Sequence, residues 1–168
     1  LALTAAECLE GAEKASAYNI AAGAAQYLGQ FKKSEIYIKK AIEIDPKFVL
    51  AHNNYATLLH DLGRIDEAED QYKKTIELDP KDVIAHYNYA KLLHDLGRID
   101  EAEDQYKKTI ELDPKDAIAH YNYARLLQDL GRIGEAEDQY KKAIELDPKY
   151  AAAHNNYANI LKDLGRIG

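Results

Sequence analysis

Thirty-four residues separate each line of this chain from its next copy. Residues 49–82 read VLAHNNYATLLHDLGRIDEAEDQYKKTIELDPKD, and residues 83–116 repeat them with three changes, Leu50 to Ile84, Asn53 to Tyr87 and Thr57 to Lys91. Residues 117–150 carry the pattern again with a few more substitutions. A strict period of this length is the strongest constraint in the sequence. One copy cannot bury its apolar face alone, whereas stacked copies share a continuous core. The 168 residues therefore count copies rather than independent domains.

Within one copy, Ala51, Tyr55, Ala56, Leu58, Leu59 and Leu62 fall at helical spacing. Gly63 follows, where a helix ends best on a residue that accepts positive φ. Asp66 and Glu69 are expected to open a second helix as N-cap and third-position partner. Ala68, Tyr72, Thr75 and Ile76 form its apolar stripe. Asp79-Pro80 closes it, because proline disfavours helix at the residue before it. The expected layout is one array over 1–168. Residues 1–14 supply the second helix of a partial preceding unit, or join 15–28 in one bent helix. Full units follow at 15–48, 49–82, 83–116 and 117–150, and 151–168 supply the first helix of a partial last unit.

Tyr55-Ala56, Leu59, Gly63, Ala68, Tyr72, Thr75 and Pro80, recurring copy after copy, resemble the tetratricopeptide repeat (TPR). His52 stands where that family usually has tryptophan. The resemblance implies an all-α solenoid, a right-handed superhelix of antiparallel helix pairs with the first helices lining a concave groove. Ala56 and Ala68 would then sit where paired helices cross and leave no room for a larger side chain.

The net charge of −7 argues against a nucleic-acid or anionic-membrane partner, since either needs a concentrated positive surface. No apolar run approaches a membrane span. A single cysteine, Cys8, allows no internal disulfide and fits a reducing, cytoplasmic setting. The chain lacks methionine even at position 1, which is expected of a processed chain or a piece of a longer one.

Asn54, Asn88, Asn122 and Asn156 recur mid-helix, where asparagine has poor propensity. They share a helix face with Leu50, Asn53, Thr57, His60 and Asp61, three and four residues apart. In a TPR that face is the groove. A carboxamide both donates and accepts, so a row of four could grip the N–H and C=O groups of an extended peptide. The segments Ala51-His52-Asn53-Asn54 and Ala153-His154-Asn155-Asn156 are similar to the TPR array of O-linked N-acetylglucosamine transferase, where such a ladder occurs. No transferase domain accompanies them here. Three varying columns beside the ladder would supply specificity: Asn53, Tyr87, Tyr121, Asn155; Thr57, Lys91, Arg125, Asn159; and His60, His94, Gln128, Lys162. Their middle is aromatic and basic, which suits an acidic or aromatic side chain.

Other chemistry finds less support. The lysines and asparagines with which some TPR proteins hold a chaperone's C-terminal carboxylate are not matched, since Tyr87, Tyr121, Ile84 and Ile118 occupy the places one turn before Lys91 and Arg125. His52 and His60 lie about 12 Å apart along one helix, too far to share a metal ion. No phosphate loop, nucleophile elbow or carboxylate pair appears. The expected function is a non-enzymatic interaction module without cofactor, binding an extended peptide. The alternative is a scaffold that self-assembles head to tail through its incomplete terminal units.

Overall fold

The computed structural model describes residues 10–166. Among the described residues there are nine helices and no strand: α1 Gly11–Tyr27, α2 Phe31–Ile44, α3 Val49–Asp61, α4 Ile65–Leu78, α5 Val83–Asp95, α6 Ile99–Leu112, α7 Ala117–Asp129, α8 Ile133–Leu146 and α9 Ala151–Asp163. None of these helices is long and apolar enough to cross a membrane. The chain divides into two compact units, residues 1–85 and 86–168.

In the first unit α1 packs on α2 and α3 on α4, while α2 and α1 also meet α3. Tyr18, Ala41 and Ala51 are buried together, with Tyr37, Ile42, Ile44 and Phe48 against them. In the second unit α7 packs on α8, α6 on α7 and α8 on α9. Alanines at the expected crossings, Ala56 and Ala68 in one unit and Ala124 and Ala136 in the other, are fully buried. Tyr72, Tyr106 and Tyr140 are the largest fully buried side chains among the described residues.

The turns follow from local chemistry. After α3, Gly63 takes φ +72°. Its N–H donates to His60 O, and the Arg64 N–H reaches back to Leu59 O, which closes the helix end. The next helix starts sooner than expected. Arg64, not Asp66, is the N-cap residue, and no side chain caps the helix. The turn at Gly63 delivers the chain directly into helical geometry, so Asp66 lies already inside the first turn. There, with Glu67, it complements the helix dipole. At the other end Asp79 is extended before Pro80, and its carboxylate accepts from the Lys81 N–H at 3.0 Å or less. Asp45, Asp113 and Asp147 make the same turn.

Glu10 is extended and Gly11 has φ +56°, so within the described residues the first helix begins at Gly11. Residues 11–14 thus lengthen α1. The helix expected over the rest of 1–14 lies outside the described residues.

Candidate functional site

In the second unit, α5, α7 and α9 bring the expected columns into register, with a one-column slip. Asn122 Nδ2 donates to Tyr87 OH at 3.1 Å and to Ile118 O at 2.9 Å. Asn156 Nδ2 donates to Tyr121 OH at 3.1 Å, with Tyr140 OH at 3.5 Å. Each asparagine thus reaches not its own column in the preceding copy but the neighbouring, variable one. His94 Nε2 likewise donates to Asp129 Oδ2 at 2.9 Å, again one column across. Asn88 is half-buried, while Asn155, Lys91 and Arg125 are exposed.

Around these lies an aromatic cluster. Tyr121 stacks at a tilt on Tyr150, with centroids 4.9 Å apart, and on Tyr140 at 5.9 Å. Tyr87 meets Tyr106 edge-on at 6.4 Å. Burial pushes the Tyr140 hydroxyl up to about 12, and it pushes Tyr87, Tyr106 and Tyr150 upward too. The Arg125 charge acts on all four in the opposite sense. Neither Arg125 nor Lys91 forms a salt bridge among the described residues. The half-buried Tyr87, Tyr121 and Tyr150 lie over the buried Tyr106 and Tyr140, and Asp116 and Asp129 also act on this cluster.

The first unit repeats the slip with different residues. Asn54 Nδ2 donates to Asn19 Oδ1 at 3.0 Å, and Gln26 Nε2 donates to Asp61 Oδ2 at 3.1 Å. Thr57 Oγ1 donates to its own helix at Asn53 O, 3.1 Å away. Asn53 is only 4% exposed, so its side chain offers a ligand almost no surface. His60 is half-buried. Ile20 and Tyr27 hold the positions that Asn54 and Asp61 occupy one copy later, and both are exposed.

The second histidine column has a packing role. His52 Nε2 donates to Pro46 O at 3.0 Å, and Nδ1 pairs with the Gln71 amide at 2.8 Å. His120 does the same with Pro114 and Gln139. The imidazole replaces tryptophan by tying the preceding turn and the second helix to the first.

A further network joins consecutive copies. Glu103 accepts from Tyr123 OH at 2.9 Å, Arg132 Nη1 at 2.8 Å and Lys107 Nζ at 2.8 Å. Arg132 also pairs with Glu135. Burial raises the Glu103 carboxyl, but Lys107, Arg132 and Tyr123 outweigh it and hold it down at about 2. Glu35 is held at about 2 by Lys39, with Arg64 and Tyr55, and Glu137 at about 2 by Lys141 and Arg166.

Sequence reasoning missed Asn19, Tyr140 and Tyr150 as neighbours of the asparagine row. Comparing each column with the adjacent column of the preceding copy, rather than with itself, would have found Asn19.

Family models described as tetratricopeptide repeat match residues 56–117 and 87–151, residues 37–70 and 139–168, and residues 15–48. No curated protein matches the chain in sequence. Among solved structures it is similar to pilF of Pseudomonas aeruginosa, at TM-score 0.85 and 20% identity over 90% of this chain and 69% of that one. It is similar to YrrB, a TPR protein with an unusual peptide-binding site, at 0.72 and 20% over 89% and 77%. It also resembles the first TPR domain of Spaghetti (RPAP3) bound to the HSP90 peptide SRMEEVD, at 0.66 and 24% over 70% and 93%.

Proposed function

The chain belongs to the tetratricopeptide repeat family, and from that premise we propose that it is a protein-interaction module that binds an extended peptide bearing an acidic side chain. The observation that carries this reading is Arg125. It is exposed, lacks a salt-bridge partner among the described residues and is close enough for its charge to act on the half-buried Tyr87 and Tyr150. An arginine in an aromatic surround can take a carboxylate by charge-assisted hydrogen bonds while the rings cover the peptide. Lys91 adds positive charge on the same face. Peptide recognition by the similar TPR structures of RPAP3 and YrrB supports the class of ligand.

The reading is non-enzymatic. A general acid needs its pKa raised toward neutrality. Glu35, Glu103 and Glu137 move the other way, held down inside clamps of lysine, arginine and tyrosine.

A peptide array with acidic, neutral and basic members tests the proposal. Acidic peptides should bind wild type best, and Arg125→Ala should weaken them about 5- to 30-fold, equivalent to about 1–2 kcal/mol. Raising salt should weaken binding as well. Equal binding of acidic and basic members, or no effect of Arg125→Ala, would reject the reading.

A further inference from the structure

We propose that the element which reads a peptide backbone here is a tyrosine–asparagine pair, Tyr87 with Asn122 and Tyr121 with Asn156, rather than the asparagine alone. This inference rests on the peptide-binding reading above and specifies how the backbone is held.

The orientation of the Asn122 amide is fixed by chemistry. Ile118 O can only accept, so the NH2 group of Asn122 faces it at 2.9 Å. The second N–H is directed to Tyr87 OH at 3.1 Å. Both donors of the carboxamide are thereby engaged within the protein, and only Oδ1 remains for a ligand. Asn122 is buried, at 9% exposure, and its Oδ1, which no described group contacts by hydrogen bond, is not among the fully enclosed polar atoms without a partner, so the little surface it keeps is what a closely seated main chain would meet. A lone asparagine at this place cannot serve both sides of a peptide unit.

The tyrosine restores the missing function. Its oxygen accepts from the asparagine and keeps its own O–H, which is free to donate. Each pair therefore offers one acceptor and one donor, held together by a 3.1 Å bond in both instances. An extended residue has the matching groups, because its N–H and C=O point to one side and pair together with a facing partner. The peptide N–H would go to asparagine Oδ1 and the C=O to the tyrosine O–H. The corresponding pair of the first unit is less complete. Asn54 donates to the Oδ1 of Asn19, a short buried carboxamide that has no tyrosine O–H to offer beside the asparagine.

The pairing gives the variable column a second role. Tyr87 and Tyr121 act as direct contacts through their O–H groups, and they also aim the asparagine of the following copy. Replacing tyrosine by phenylalanine removes a donor and releases an Asn N–H in one step. The ligand class follows as an extended segment read through its main chain, with no proline at the residue facing Asn122, since proline has no N–H to offer.

The test uses the full chain and a pool of random decapeptides, from which the tightest binder is taken. That peptide is resynthesised with single amide-to-ester replacements, each of which deletes one backbone N–H. Binding is read by fluorescence anisotropy. At least one ester should weaken wild type about 2- to 10-fold, the worth of one hydrogen bond, and should have little effect in Asn122→Ala. Tyr87→Phe should weaken the parent peptide by a similar factor while the protein still unfolds cooperatively by circular dichroism, at a midpoint lowered by no more than a few degrees. Where Asn122→Ala fails to fold, Tyr87→Phe and Tyr121→Phe carry the test alone. Binding lost with Arg125→Ala but untouched by both phenylalanine variants would overturn the pair and leave the acidic-peptide reading standing. A pool without a binder would overturn both.

Discussion

Glu103→Gln isolates the clamp between consecutive copies. The carboxylate on α6 holds Tyr123 of α7, Arg132 of the following turn and Lys107 of its own helix, each within 2.9 Å. Glutamine keeps the shape and one acceptor but removes the charge. The distance between the ordinary 4.5 and the folded value of about 2 would be worth about 3 kcal/mol if nothing were screened. Arg132 and Lys107 are 35% and 55% exposed, so water screens both, and about 1–2 kcal/mol survives. The sign follows from the lowered pKa. The stabilisation is fully present above pH 4.5 and is lost as pH falls through about 2. Urea denaturation followed by circular dichroism at pH 7 should show Glu103→Gln less stable by about 1–2 kcal/mol, and the gap should narrow by roughly half at pH 3. The slope with urea should fall as well, because the array is held together by nearest-neighbour terms and this is one of them. A gap of the same size at both pH values would refute the electrostatic account. No gap at pH 7 would refute the clamp.

Two further substitutions probe the packing. Ser34 is fully buried with no partner for its hydroxyl, at the position where later copies have Ala68, Ala102 and Ala136. Ser34→Ala should therefore stabilise by about 1 kcal/mol in urea denaturation, and a loss of stability would show that the hydroxyl is satisfied. Ala102→Leu places three extra carbons where the side chain is 0% exposed, and should cost about 1–3 kcal/mol, lowering the thermal midpoint by several degrees. A midpoint within a degree of wild type would mean that the crossing has slack.

The fold was legible because the period multiplies each local signal. A single Gly63 or Asp79-Pro80 is weak evidence, but the same residues at the same spacing specify the same turn each time. The helix start was misplaced for a reason the repeat cannot correct. Asp66 and Glu69 look like a capping box, and an error made in one copy is made in all of them. What decides the start is the turn at Gly63, which feeds straight into Ile65 and leaves Arg64 to pair with Glu35 and Glu67 instead of a cap.

The groove was legible by column and illegible by pairing. Helical spacing put Asn122 and Tyr87 on the face that lines it, but aligning copies residue for residue compares Asn122 only with Asn88 and Asn156. The contacts run one column across, from Asn122 to Tyr87, Asn156 to Tyr121, Asn54 to Asn19, Gln26 to Asp61 and His94 to Asp129. Successive first helices meet with a small slip, and a sequence period carries no record of that slip. The consequence reaches function. The residues that vary, and would set specificity, are the same residues that hold the constant asparagines and aspartates of the next copy. A substitution in a variable column therefore changes two things at once, the side chain offered to a ligand and the orientation of a polar group 35 residues later. Specificity and stacking in this array are not independent, and mutations that retune one will be felt in the other.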